Sequence, residues 1–216
     1  MEAPTVEAPK VEAPKVEAPR VEPAEVVPPP APIPVPKPPT ATPDVPPAPE
    51  VPDDPAARRQ MAQTLLFEAG VHRSKGELES AVVAFTQALE LTPDSFSALN
   101  NRGLTFLEMK SYEDAVSDFT QAIRLQQDRA FLFTNRATAY QRMGKLENAI
   151  ADYSSAIEID PALATAFFQR GNCFFQAEMY EKAIEDYDRA LDINRKYAEA
   201  KNNKRLAQER LKGQGR

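Results

Sequence analysis

Tryptophan is absent from the 216 residues, and cysteine and histidine each occur once. A single thiol, Cys173, can close no disulfide within the chain and points to a reducing compartment. A single imidazole, His72, leaves no histidine cluster for a metal site, and neither a P-loop nor a dinucleotide fingerprint is present. Apolar runs are short, none approaching the ~20 residues of a membrane-spanning helix. The opening alternation of Glu, Ala and Pro lacks the apolar stretch of a signal peptide. These absences lead to the expectation of a cytoplasmic protein with no cofactor, no metal and no membrane partner.

Proline is nearly missing from residues 56–216, which hold only Pro93 and Pro161; the other 19 of the 21 lie in residues 1–55. That first stretch in turn has no Phe, Tyr, Leu or Trp. Proline fixes φ, removes a donor and turns the preceding residue away from the helical region. With little to bury, residues 1–55 are expected to be a disordered tail, and 56–216 the folded domain. The tail repeats a pentapeptide (Val6-Glu-Ala-Pro-Lys10, Val11-Glu-Ala-Pro-Lys15, Val16-Glu-Ala-Pro-Arg20) before a denser proline run. Such sequence favours extended polyproline II and reads first as a spacer. Pro29-x-x-Pro32 and Pro36-x-x-Pro39 also have the spacing that an SH3-like partner reads, a weak signal in any proline-dense segment.

The tail's ten acids and four bases account for the whole net charge of −6, leaving 22 acids and 22 bases in residues 56–216. A neutral folded part is a poor match to a dedicated nucleic-acid binder, so nucleic acid is an unlikely partner. From Arg195 onward, however, eight Lys or Arg face only Glu199 and Glu209.

Residues 62–95, 96–129, 130–163 and 164–197 superimpose in a gapless 34-residue register. Position 8 reads Ala69, Gly103, Ala137, Gly171; position 20 reads Ala81, Ala115, Ala149, Ala183; position 27 reads Ala88, Ala122, Ala156, Ala190. Position 24 is Phe85, Phe119, Tyr153, Tyr187, and position 11 is His72, Phe106, Tyr140, Phe174. Small residues at fixed places allow helices to approach, and rings fill the space between them. Each half-repeat has helical apolar spacing, as in Leu146, Ala149, Ile150, Tyr153, Ala156 and Ile157. Gly76 and Gly144 mark turns between the halves, Thr92-Pro93 and Asp160-Pro161 mark repeat ends, and Asp53-Asp54-Pro55 marks the first helix start. Ser111 with Asp114 has the form of a capping box.

This pattern resembles the tetratricopeptide repeat, with departures: position 4 has no Trp, and Gln127 and Arg195 replace the proline at 32. The resemblance implies an all-α, right-handed superhelical stack of four helix–turn–helix repeats closed by a capping helix over 198–212. It implies a protein-binding adaptor or scaffold, holding a peptide or helix of another protein in a concave groove lined by positions 2, 5, 6, 9, 12 and 13. Carried onto this chain, those positions give Leu66 and Arg73, with Gln63, Gly70 and Ser74, in repeat 1. Repeat 2 gives Asn100, Asn101, Leu104 and Leu107, with Ser97 and Glu108. Repeat 3 gives Phe131, Asn135 and Arg142, with Thr134, Thr138 and Gln141. Repeat 4 gives Phe168, Gln169, Asn172 and Phe175, with Thr165 and Gln176. Amides suit an extended peptide backbone. Phe131, Phe168 and Phe175 have no reason to face outward unless something covers them, which makes them the expected anchors.

A known use of the fold is to clamp the C-terminal carboxylate of Hsp70 or Hsp90 chaperones, which implies Lys and Asn at 5 and 9, Asn at 6, then Lys at 2 and Arg at 6. Asn101 and Asn135 match the middle asparagine. Leu66 and Gly70, or Asn100 and Leu104, replace the first pair, and Phe131 or Thr165 replaces the second lysine. Without those cations a carboxylate is poorly held, so a chaperone-associated role is an alternative. A second alternative is an RNA-associated factor using the basic C-terminal helix; Lys201, Lys204, Arg205 and Arg210 read first as its solvated face.

One pairing is independent of the resemblance. Arg at position 7 accompanies Asp at 23 three times, as Arg102/Asp118, Arg136/Asp152 and Arg170/Asp186, while repeat 1 has Glu68 and Ala84. The expectation is a ladder of ion pairs bracing the two helices of each repeat, worth only about 0–1 kcal/mol apiece where exposed. His72 falls in the aromatic slot at 11 and is expected to be packed or partly buried there, and Cys173 is expected to be a buried thiol. No enzyme is expected from such a set.

Overall fold

The computed structural model describes residues 53–214. The pentapeptide tail, its expected disorder and its two PxxP spacings lie outside the described residues.

Nine α-helices make up the described residues: α1 Pro55–Ser74, α2 Leu78–Leu91, α3 Phe96–Glu108, α4 Tyr112–Leu125, α5 Ala130–Arg142, α6 Leu146–Ile159, α7 Ala164–Gln176, α8 Tyr180–Ile193 and α9 Ala198–Gln214. Each packs on the one before it, and α1 with α3, α3 with α5 and α7 with α9 also touch. This nearest-neighbour order is that of a solenoid, in which no helix pair buries its apolar stripe without the next. α1 is 20 residues long where α3, α5 and α7 have 13. Its extra turns start at Pro55 behind Asp54, whose carboxylate accepts from the backbone N–H groups of Ala56 and Ala57.

The core is made of the periodic small residues and rings. The alanines at positions 20 and 27 are fully buried in all four repeats, and the rings at 24 are at most 2% exposed. Glycine at position 8 has a measurable cause in two repeats. A Cβ on Gly103 would lie 2.8 Å from Cε1 of Phe119, and one on Gly171 2.9 Å from Cε1 of Tyr187. First and second helices are therefore in contact at positions 8 and 24.

Position 15 turns the chain between the two helices of every repeat, through left-handed φ values of 79° at Gly76 and 75° at Gly144. Lys110 and Glu178 take the same conformation at 62° and 59°, although no glycine signals it. In all four turns the next residue donates its N–H five residues back: Glu77 to His72, Ser111 to Phe106, Lys145 to Tyr140 and Met179 to Phe174. That bond closes the C-terminal end of each first helix. The expected capping box in repeat 2 does not form. Ser111 is the N-cap of α4, but its side chain accepts no capping bond there.

His72 is partly buried, as expected of its position. Its side chain is 39% exposed and its Nδ1 pairs with the Glu77 carboxylate at the turn. Cys173 is fully buried, and burial pushes its thiol up to about 12, which makes it inert near neutral pH.

Candidate functional site: the inner face of the first helices

The Arg–Asp ladder forms, with more reach than the sequence suggests. Arg102 grips Asp118 with two parallel bonds of 2.8 and 2.7 Å, Arg136 grips Asp152 at 2.7 and 2.8 Å, and Arg170 grips Asp186 at 2.8 and 2.8 Å. A third guanidinium bond crosses to the repeat before, where Thr86, Thr120 and Ser154 at position 25 accept at 2.9–3.0 Å. Each arginine thus ties both helices of its own repeat to the second helix of its predecessor. The rungs are also less exposed than a surface pair: the carboxylates are 3%, 9% and 6% accessible. Burial pushes the Asp118 carboxyl up from its usual range, against the pull of Arg102. Rings at position 11 complete each cradle, with Phe106, Tyr140 and Phe174 5.9 Å from the guanidinium carbons.

With the helices so held, adjacent first helices are joined across the expected groove face. Arg73 donates to Glu108 at 2.8 Å, Asn135 to Asn100 at 2.9 Å, and Asn203 of α9 to Asn172 at 2.8 Å. Asn172 also accepts from the Tyr187 hydroxyl at 2.9 Å and donates to Gln169 at 2.8 Å. Asn101 is turned onto its own helix, donating to the Ser97 carbonyl. The amides that the sequence offers to a partner are therefore partly engaged with one another, each keeping some donor or acceptor capacity.

The apolar residues of this face divide. Leu104 and Leu107 are half-buried on the Ala115, Phe119 and Ala139 cluster. Phe131 is 42% exposed at the start of α5. Phe168 does not stand free: its ring lies 4.8 Å from that of Tyr197 and 6.0 Å from that of Tyr187. Phe175 packs edge-on to Tyr180 at 5.3 Å and joins the cluster of Ala183, Tyr187 and Ala207. The expectation that all three phenylalanines face outward is thus corrected for two of them, because Tyr197 and Ala207 at the α9 end help to cover them. Arg142 is exposed and has no ion pair among the described residues.

At the other end of the face the surface opens. Gly70 stands at position 9, where Leu104, Thr138 and Asn172 stand in the later repeats. A Cβ built on Gly70 meets nothing within 4 Å. The space belongs to a cavity of about 350 Å³ between α1 and α3. Leu66 and Phe85 form its apolar part, and Ser74, Asn101 and the Arg73–Glu108 pair supply its polar groups. Phe85 was not legible as a groove residue, because its position 24 is otherwise a core position.

Tetratricopeptide repeat profiles match residues 96–129 and 164–197, and a TPR repeat profile matches 71–110 and 139–178, together 118 of the 216 residues. No curated protein matches the sequence. Among solved structures, a MamA protein is 21% identical with a TM-score of 0.66, the match covering 70% of this chain and 82% of that one. A tetratricopeptide repeat protein from Parabacteroides merdae is 26% identical with a TM-score of 0.63, over 70% and 59% of the two chains. The first TPR of Spaghetti (RPAP3), solved with the HSP90 peptide SRMEEVD, is 28% identical with a TM-score of 0.53, over 54% and 92%. Since 404 solved chains match, the fold alone names no partner. The 34-residue register, the helix pairs stacked in chain order and the matching profiles make this chain a member of the tetratricopeptide repeat family.

Proposed function

We propose that the protein is a binding scaffold that holds an extended peptide segment of another protein along the inner face of α1, α3, α5 and α7. The observation that carries this reading is the cavity at Gly70. It has the mixed character of a peptide side-chain pocket, with Leu66 and Phe85 for an apolar side chain and Ser74, Asn101 and the Arg73–Glu108 pair for its backbone. Phe131 is a second anchor further along, and Asn100, Asn135, Gln169 and Asn172 keep amide capacity between and beyond the two. No step of catalysis is part of this reading.

Selection of a random peptide library on the full chain tests it. The expected result is an enriched motif with one apolar residue, whose affinity falls tenfold or more in Gly70→Phe and in Phe131→Ala. Gly70→Phe places its side chain in open space, so the melting temperature should hold. Absence of enrichment, or affinities untouched by both substitutions, would overturn the reading.

A second reading follows from the RPAP3 domain with its HSP90 peptide: capture of an acidic chaperone C-terminus. Arg73 is already paired with Glu108, leaving Arg142 as a cation for such a carboxylate. Under this reading, the peptide SRMEEVD binds with a free carboxylate and not as the amide.

A further inference from the structure

In repeats 2 to 4 the second helix packs on positions 8 and 11 of the first. α9 continues the register as a fifth first helix: Ala200 and Ala207 occupy the buried positions 3 and 10, and Asn203 at 6 bonds to Asn172. Lys204 stands at position 7, where it pairs with Asp188 at position 25 of repeat 4 and extends the ladder by one rung. No second helix follows α9 within the described residues. Its positions 4, 8 and 11 are Lys201, Arg205 and Gln208 in place of the apolar, small and aromatic residues of the repeats.

The surface left open is a slot of about 510 Å³ between α8 and α9. Leu191 is its apolar residue, and Arg195, Lys201, Lys204 and Arg205 supply four cations with no acid in the lining. Asn202 and Gln208 complete it. Residues 56–194 carry 20 acids and 14 bases, so the slot's cations are a local concentration and not a general background. Lys204 is committed to Asp188, and Arg205 makes only an exposed pair with Glu209. Arg195 and Lys201 are exposed and have no ion pair among the described residues.

We propose that this slot is a second docking site, separate from the groove, for an acidic peptide segment of a partner protein carrying carboxylates on either side of an apolar residue. The apolar residue rests on Leu191, the carboxylates meet Arg195 and Lys201, and the Asn202 and Gln208 amides hold the peptide backbone. Nucleic acid fits less well. The lining contains no ring on which a base could stack.

Fluorescence anisotropy of the full chain with a labelled nonapeptide of three Glu-Glu-Leu units tests the proposal. Saturable binding is expected, weakened at least tenfold by the double change Arg195→Glu with Lys201→Glu, and unchanged by Gly70→Phe. A Lys-Lys-Leu nonapeptide should not bind. Both reversed side chains are exposed, so an unchanged helical circular dichroism signal confirms the fold. Lack of binding, or binding indifferent to the charge reversal, overturns the proposal. So does an oligo-uridine that binds more tightly than the peptide with a steep salt dependence, which would assign the slot to RNA.

Discussion

Repeat 1 and the three repeats behind it solve the same packing problem by different means. Repeats 2 to 4 hold first helix to second with a nearly buried Arg–Asp pair and reach back to a hydroxyl of the preceding repeat. Repeat 1 has Glu68 exposed and Ala84 buried at those positions, yet its helices pack with the same small residues and ring. Apolar packing is therefore enough to form a repeat. The ion pair adds something else: a charge that must be matched fixes which helix faces meet. Buried pairs add little net stability over well-packed apolar residues, but breaking one strands a charge.

The sharpest way to break this comparison is to remove one partner. Asp152→Ala, leaving Arg136 without its carboxylate, is expected to cost about 3–5 kcal/mol by urea unfolding of the full chain, whereas Arg136→Met with Asp152→Leu stays within about 1 kcal/mol of wild type. Loss of under 1 kcal/mol in the single variant, or no coupling in the cycle, would reduce the ladder to a surface ornament.

Alkaline titration probes a second difference. Only repeats 3 and 4 have tyrosine at position 24, and burial raises Tyr153 and Tyr187 to about 12. A group whose folded pKa is raised contributes stability that is complete below its unfolded value near 10 and is lost as pH rises through the folded one. Unfolding followed by absorbance of the phenolate is thus expected to set in between about pH 10 and 12. Tyr153→Phe with Tyr187→Phe should move that loss to higher pH.

A rung can also be transplanted. Ala84→Asp alone buries an unmatched carboxylate and should cost about 3 kcal/mol; adding Glu68→Arg should recover most of it. If the double variant is as unstable as the single one, the geometry of position 7 and position 23 depends on the preceding repeat's hydroxyl. The smallest expected effect lies in the turns. Lys110→Gly and Glu178→Gly relieve left-handed strain and should each raise stability by about 1 kcal/mol, a shift of roughly 2–4 °C in Tm.

Much of this was legible in the residues because the period repeats each physical requirement four times. Alanine at 20 and 27, a ring at 24 and the linked Arg and Asp at 7 and 23 each appear often enough to expose their cause. The hydroxyl at 25 was present as Thr86, Thr120 and Ser154, but its partner lies in the next repeat, beyond a register read within one unit. Lys110 and Glu178 carry no compositional mark of a left-handed turn; the hydrogen bond to Phe106 or Phe174 imposes it. In the candidate site, Leu66, Arg73, Asn101 and Gly70 come together around one cavity, as their repeat positions allow. The cover over Phe168 and Phe175 is not legible within their own repeat positions, because Tyr197 lies in the α8–α9 connection and Ala207 and Tyr180 lie on other helices.

Arg205 carries one more consequence. Where glycine or alanine lets a ring of the next helix come close, arginine acts as an end-stop. Anyone lengthening this protein by splicing in consensus units would need to insert them ahead of α9, since a unit fused behind it would find its seat already taken by a guanidinium.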